Sequence, residues 1–224
     1  MTYSIRPMCQ EDVARVTEVD REAFPTQLPP PNYRQELGNQ LARYIVACDE
    51  TKTAPEVKPG KGLSRLASGI KRWFNSENSP GNESPPTDKP YIVGFAGIWV
   101  LVDEAHITNI AVCRQYQRRG IGELLLISTI DLAKELKASI MTLEVRASNI
   151  TAQDLYRKYG FVQVGVRRGY YLDNREDGVL MSTESITSAT FQARLKHLRE
   201  DLARKWGSQL KPGGNFSTVR PEES

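Results

Sequence analysis

The stretch ITNIAVCRQYQRRGIGELLL, residues 107–126, constrains this chain more than any other part of it. An apolar β-rich run enters a polar, glycine-containing loop, and the loop enters an apolar helix. A strand–loop–helix junction aims free backbone N–H groups and the positive end of the helix dipole at one spot. That spot is an anion site. Gly120 and Gly122 lack a Cβ, so a phosphate can approach the backbone there, and Arg118 and Arg119 add positive charge. A bare G-x-G favours the plainer reading, an ordinary helix start with a glycine turn beside a solvated basic pair. The G-x-G-x-x-G of a dinucleotide loop is not present.

The elements around this junction follow from periodicity. Tyr3 to Arg6 reads as a strand, and Gln10 to Phe24 as a helix with Val13, Val16 and Val19 at helical spacing, stopped by Pro25. Tyr33 to Leu41 is expected as a second short helix and Arg43 to Cys48 as a strand. Tyr91 to Val102 and Glu104 to Val112 read as strands joined at Asp103-Glu104, Gly120 to Lys137 as a helix, and Ile140 to Arg146 as an alternating strand. Asn149 to Tyr159 is a helix capped by Ser148/Asn149 and closed by Gly160. Phe161 to Gly165 and Gly178 to Thr183 are the last strands, with Tyr170 and Tyr171 in their connection. The order is that of an α/β fold with a mixed central sheet flanked by helices.

Two regions stand apart. Residues 49–89 are rich in Pro, Gly, Ser, Asn and charge and read as a low-complexity, disordered insertion within a domain spanning 1–185. Inside it, Lys61 to Phe74 carries Leu63, Leu66, Ile70 and Trp73 at helical spacing among basic residues. Residues 61–74 thus form a candidate surface helix for anionic lipid, ribosomal RNA or an acidic partner, beside the plainer expectation that they dock on their own domain or stay disordered. Residues 186–224 read as an amphipathic helix, with Phe191, Leu195, Leu198, Leu202 and Trp206 on one stripe, followed by a disordered end.

Composition removes several function classes. The formal net charge of +3 over 224 residues is too small for a dedicated nucleic-acid binder, so no DNA partner is expected. Cys9, Cys48 and Cys113 lie far apart without a zinc pattern, and His106 and His197 are too isolated for a metal cluster or a nucleophile–His pair. No metal is expected. The N-terminus lacks the apolar core of a signal peptide, and no apolar run spans a bilayer. A cytoplasmic location is the expectation.

The blocks ITNIAV, YQRRGIG and LEVRASNITAQDLYRKYGF, in this order, resemble the Gcn5-related N-acetyltransferase (GNAT) superfamily, most closely its RimI-like branch of ribosomal-protein-alanine N-acetyltransferases. The resemblance runs from about Tyr91 to Ser182. It implies that acetyl-CoA is the co-substrate. Ile110, Ala111 and Val112 would pair with its pantetheine arm through a splayed strand. Arg118, Arg119, Gly120, Ile121, Gly122 and Glu123 would cradle the pyrophosphate. Asn149 would contact the cofactor, a role compatible with its being an N-cap.

Acetyl transfer to an amine needs a neutral amine and a protonated leaving thiolate. A free α-amino group titrates at about 7.7–8.0, so a modest base suffices. In IMTLEVR, Thr142, Glu144 and Arg146 share one face. A carboxylate in mid-strand is costly unless paired or solvated. A salt bridge to Arg146 or another base is the plain reading of Glu144, and the resemblance makes it the general base. Tyr156 is likewise either a half-buried packing residue or, by resemblance, the general acid, with Tyr159 the better packing candidate. Tyr170 and Tyr171 correspond to tyrosines that bind a peptide N-terminus, or form an ordinary aromatic pair. Phe24-Pro25-Thr26-Gln27 departs from the branch's Phe-Pro-Trp-Ser, which bears on peptide preference. Acetylation of a protein N-terminus, with a ribosomal protein as a candidate target, is the expected function. A small-amine acetyltransferase and a non-catalytic acetyl-CoA sensor are the alternatives.

Overall fold

The computed structural model describes residues 2–26, 29–53 and 89–211. The insertion beyond residue 53, including the amphipathic segment 61–74, and the chain after residue 211 lie outside the described residues. The elements are β1 (Tyr3–Pro7), α1 (Val13–Ala23), α2 (Tyr33–Leu37), β2 (Ala42–Thr53), β3 (Pro90–Leu101), β4 (Glu104–Val112), α3 (Ile121–Glu135), β5 (Ile140–Arg146), α4 (Ile150–Lys158), β6 (Phe161–Tyr171), β7 (Glu176–Thr183), α5 (Ala189–Trp206) and β8 (Leu210–Lys211). Among the described residues, eight strands make one mixed sheet in the order β6-β7-β5-β4-β3-β2-β1-β8, and only the β4–β5 and β1–β8 pairings are parallel.

Each face of the sheet has its own cover, and residue alternation shows which. A Cβ on Gly94 would meet Leu125 of α3, whereas Phe95, one residue on, meets the ring of Tyr33 in α2 edge-on at 5.5 Å. So α3 covers one face, and α1 with α2 covers the other. α3 is sandwiched between the sheet and α5, which is why Leu124 to Ile130 is buried without interruption. α5 buries Phe191, Leu195 and Leu202 and joins α3 through an Arg199–Asp131 ion pair. This burial, rather than intrinsic propensity, fixes α5 in place.

Four expectations need correction. β2 continues to Thr53, because the chain after Cys48 still has partners: Asp49 pairs with Tyr3 of β1 and is fully buried. α2 stops at Leu37, where Gly38 caps it. β6 reaches Tyr171 and β7 starts at Glu176, so Tyr170 and Tyr171 lie in a strand and not in a connection. The chain after Trp206 is ordered through Lys211: a 3-10 turn leads to β8, which pairs with Tyr3 and Ser4 of β1.

Candidate active site

The sheet is open in its middle. The parallel ladder of β4 and β5 ends at Ile107↔Leu143. Beyond it, β4 stays with β3 as far as Val112 and β5 stays with β7 as far as Arg146, so the two strands diverge. A bulge helps turn β4 away: Gly97 faces Asn109 while Ile98 faces Ile107, leaving Thr108 as an extra residue. Ile110, Ala111 and Val112 therefore lie on a stretch of β4 that no strand pairs with on the β5 side, among the described residues.

The expected phosphate loop follows. A 3-10 turn over Arg114–Tyr116 leads to Arg118 and Gly120, both with positive φ (63° and 79°), and Gly120 is the N-cap of α3. The first-turn N–H groups of α3 have no intrahelical acceptor. The two glycines differ. A Cβ on Gly122 would meet nothing closer than Val112 Cγ2 at 3.9 Å, so its surroundings are open. A Cβ on Gly120 would lie 2.7 Å from Nε1 of Trp206 at the end of α5. The side chains differ too. Arg118 is exposed. The Arg119 guanidinium lies 5.2 Å over the Tyr116 ring and donates to the Tyr3 hydroxyl at 3.1 Å. The Glu123 carboxylate accepts from the Tyr159 hydroxyl at 2.6 Å and pairs with Lys158, tying α3 to α4. Asn149 caps α4 through a bond from the Ala152 amide at 3.1 Å. A cradle of backbone N–H groups with room above Gly122 fits a diphosphate group.

The chemical groups line the face that α1 and α2 cover. Register puts Trp99 opposite His106 and His106 opposite Thr142. Alternation then puts Glu144 and Arg146 on the same side. Glu144 does not pair with Arg146. Its side chain is only 5% exposed, with Oε2 3.0 Å from His106 Nε2 and Oε1 3.1 Å from Arg167 Nη2. The Arg167 contact is an ion pair without hydrogen-bond alignment, and Oε1 accepts no hydrogen bond among the described residues.

The rest of the His106 ring fixes where its proton sits. Thr142 donates its hydroxyl to Glu104 at 2.5 Å, so its oxygen can only accept from Nδ1 of His106 at 2.9 Å. Nε2, on the other side of the ring, lies against Glu144 Oε2 in a contact that is an ion pair when the ring is protonated and, like the Arg167 contact, lacks hydrogen-bond alignment. The pair stands at the point where the sheet opens. His106 was passed over in the sequence because it has no sequence neighbour of matching chemistry. Counting β4 against β5 across the parallel ladder is the signal that finds it.

Tyr156 is half-buried and leans on Phe161, with ring centroids 5.7 Å apart. Its hydroxyl has no hydrogen-bond partner among the described residues. Burial, with a smaller contribution from Tyr171, pushes its phenol well above the ordinary range, so it stays protonated. Tyr159 is fully buried. Tyr170 and Tyr171 meet edge-on at 5.1 Å. Burial raises both phenols, Tyr171 to about 12, and the Glu144 charge adds to each. That mutual influence brings Glu144, Tyr156, Tyr170 and Tyr171 into one electrostatic neighbourhood. Arg167 stands 5.5 Å over Tyr170. Cys113 is fully buried beside the Arg15 guanidinium at 3.2 Å, and burial raises its thiol, which leaves it inert. Among the described residues no helix is long and apolar enough to cross a membrane.

Comparison with known proteins adds to this geometry. Residues 70–161 match the acetyltransferase (GNAT) family. The [ribosomal protein bS18]-alanine N-acetyltransferase of Escherichia coli (strain K12) is 42% identical over 98 residues, which cover 43% of this chain and 66% of that protein. A Bacillus subtilis relative is matched over 60% of its length, so the chain spans less than two thirds of these bacterial relatives. The N-alpha-acetyltransferase of Sulfurisphaera tokodaii is 32% identical over 181 residues, covering 80% of this chain and 92% of that protein. The crystal structure of the ribosomal-protein-S18-alanine N-acetyltransferase from Escherichia coli superposes with a TM-score of 0.57 at 24% identity, over 84% of this chain and 96% of that one, and shares the fold. On the matched sequence, the long alignment with the archaeal relative and the divided sheet, the chain belongs to the GNAT acetyltransferase family.

Proposed function

We propose that the protein is an acetyl-CoA-dependent N-acetyltransferase that acts on the α-amino group of a protein N-terminus, with ribosomal proteins among its targets and the cytoplasm as its compartment. The observation that carries this reading is the Glu144–His106 pair, buried at the opening between β4 and β5 with the phosphate cradle on the adjoining strand. In this reading the open edge of Ile110, Ala111 and Val112 holds the pantetheine amides, and the first turn of α3 with Arg118 and Gly122 holds the diphosphate. Arg119 and Glu123 support the loop through Tyr3 and Tyr159. Asn149 caps α4 beside the same opening.

The reaction needs one proton removed and one supplied. The Glu144–His106 pair takes the proton of the acceptor amine as its nitrogen bonds to the acetyl carbonyl carbon. Tyr156, kept protonated by burial, donates to the sulfur as the carbon–sulfur bond breaks. Tyr170 and Tyr171 present an aromatic wall for the acceptor peptide, and preorganised N–H groups at the β4 edge polarise the carbonyl. The activities for which the Escherichia coli and Sulfurisphaera tokodaii relatives are named, alanine and N-alpha acetylation, support an α-amine over a small free amine.

The test is acetyl-CoA turnover against short peptides with varied N-terminal residues, run beside Glu144→Gln and Tyr156→Phe. Turnover that both substitutions cripple supports the reading. Binding of acetyl-CoA without turnover of any peptide overturns it in favour of a small amine or a sensor.

A further inference from the structure

Arg146 is built into the site without being needed for the chemistry. It lies two residues beyond Glu144 on the same face of β5, and its guanidinium gathers segments from three parts of the chain. Nη2 bonds both carboxylate oxygens of Asp173, at 2.9 and 3.1 Å, and reaches Thr26 Oγ1, in the connection after α1, at 3.4 Å. Nη1 bonds Asn174 Oδ1 and Glu176 Oε2, both at 3.2 Å. The second oxygen of Glu176 accepts from the Ser148 amide at 2.7 Å, at the entrance to α4. The guanidinium plane also covers Tyr171, 4.0 Å from its ring centroid.

The backbone leaves this hairpin under-determined. β6 is an edge strand with β7 as its one neighbour. The β6–β7 ladder breaks between Arg167 and Tyr171, and Gly169 within the break has φ of 58°. Register pairs Tyr171 with Glu176 but leaves Tyr170, inside the break, without a ladder partner. The planar fork of an arginine, taking two carboxylates and the Tyr171 ring at once, fixes this end of the hairpin.

We propose that Arg146 is a positioning residue for the acceptor: it clamps the β6–β7 hairpin onto β5, and through Tyr171 and Tyr170 it shapes the wall that the incoming peptide meets. The role rests on the acyl-transfer reading for its consequence in catalysis, while the clamp itself is a property of the fold.

Two readouts separate these. In the full-length protein, Arg146→Met raises the peptide KM by about tenfold or more and lowers kcat less, with the acetyl-CoA Kd unchanged. Arg146→Lys recovers little, because an ammonium cannot hold the carboxylates in a fork. Asp173→Asn, which leaves the core untouched, gives a smaller change of the same kind and keeps the test open if Arg146→Met folds poorly. Independently of turnover, backbone amide exchange over residues 169–177 quickens in Arg146→Met and in Asp173→Asn. Unchanged exchange and an unchanged peptide KM overturn the clamp. Faster exchange with a wild-type protein that turns over no peptide leaves the clamp standing and sinks the acyl-transfer reading.

Discussion

Glu144 and His106 come from strands whose ladder ends one residue past the histidine, yet Oε2 and Nε2 meet at 3.0 Å. The thirty-odd residues between them matter less than the parallel register that sets His106 against Thr142. Nδ1 is spent on Thr142, so it is Nε2 that His106 turns to the carboxylate.

Glu144→Gln should lower kcat by roughly 10²-fold or more, with acetyl-CoA affinity retained. His106→Asn should lower turnover less, since the carboxylate that takes the proton remains. Turnover identical in wild type and His106→Asn would show that the histidine takes no part.

Tyr156→Phe should reduce kcat by about 10- to 100-fold while leaving the peptide KM close to wild type, since the ring still packs on Phe161 and only the proton donor is lost. Steady-state kinetics with the best peptide from the library reads this. An unchanged kcat would assign the proton on the leaving sulfur to solvent.

The two glycines of the loop should separate stability from binding. At Gly120 an alanine meets both a left-handed backbone, at a cost of roughly 1–2 kcal/mol, and the Trp206 indole. Gly120→Ala should melt several degrees lower. Gly122→Ala has room for its methyl, so its Tm should match wild type. Acetyl-CoA affinity should nonetheless fall about tenfold or more, because the methyl stands where a phosphate would rest. Calorimetry beside thermal melts decides; a Gly122→Ala variant that binds normally would remove the loop from the diphosphate site.

Acid should loosen the β6–β7 hairpin through Glu176. Hydrogen bonds from Ser148 first, then from Asn174 and Arg146, hold its carboxyl at about 2, against 4.5 unperturbed. A carboxyl depressed in the folded state stabilises above its unfolded value and loses that contribution as pH falls through the folded one. Between about pH 4.5 and 2, wild-type Tm should drop more steeply than that of Glu176→Gln. Parallel curves would mean that Glu176 is not coupled to folding.

Much of the architecture could be read from residue order because it rests on local pattern: alternation in IMTLEVR, glycine closure after Tyr159, the apolar run of α3. The strand–loop–helix junction at Gly120 was equally legible, since a strand, two glycines and a helix within one short stretch have few ways to fold. What escaped depends on partners distant in sequence. β8 is only two residues long and exists because β1 offers an edge. His106 looked isolated until register brought β5 alongside it. Trp206 carries no local sign that it covers Gly120. The reach of β6 to Tyr171 hangs on Arg146 and the acids around the turn, a contact that strand propensity does not encode.

β1 and β8 lie at opposite ends of the described chain, and closing so long a loop is entropically slow, so their pairing belongs to the last steps of folding. A nascent chain exposes the β1 edge, and leaves Gly120 bare of Trp206 and Leu210, until residues 206–211 have been made. The loop between β4 and α3 is thus assembled in two stages separated in time: its backbone turn when α3 forms, and its outer support when α5 and β8 arrive.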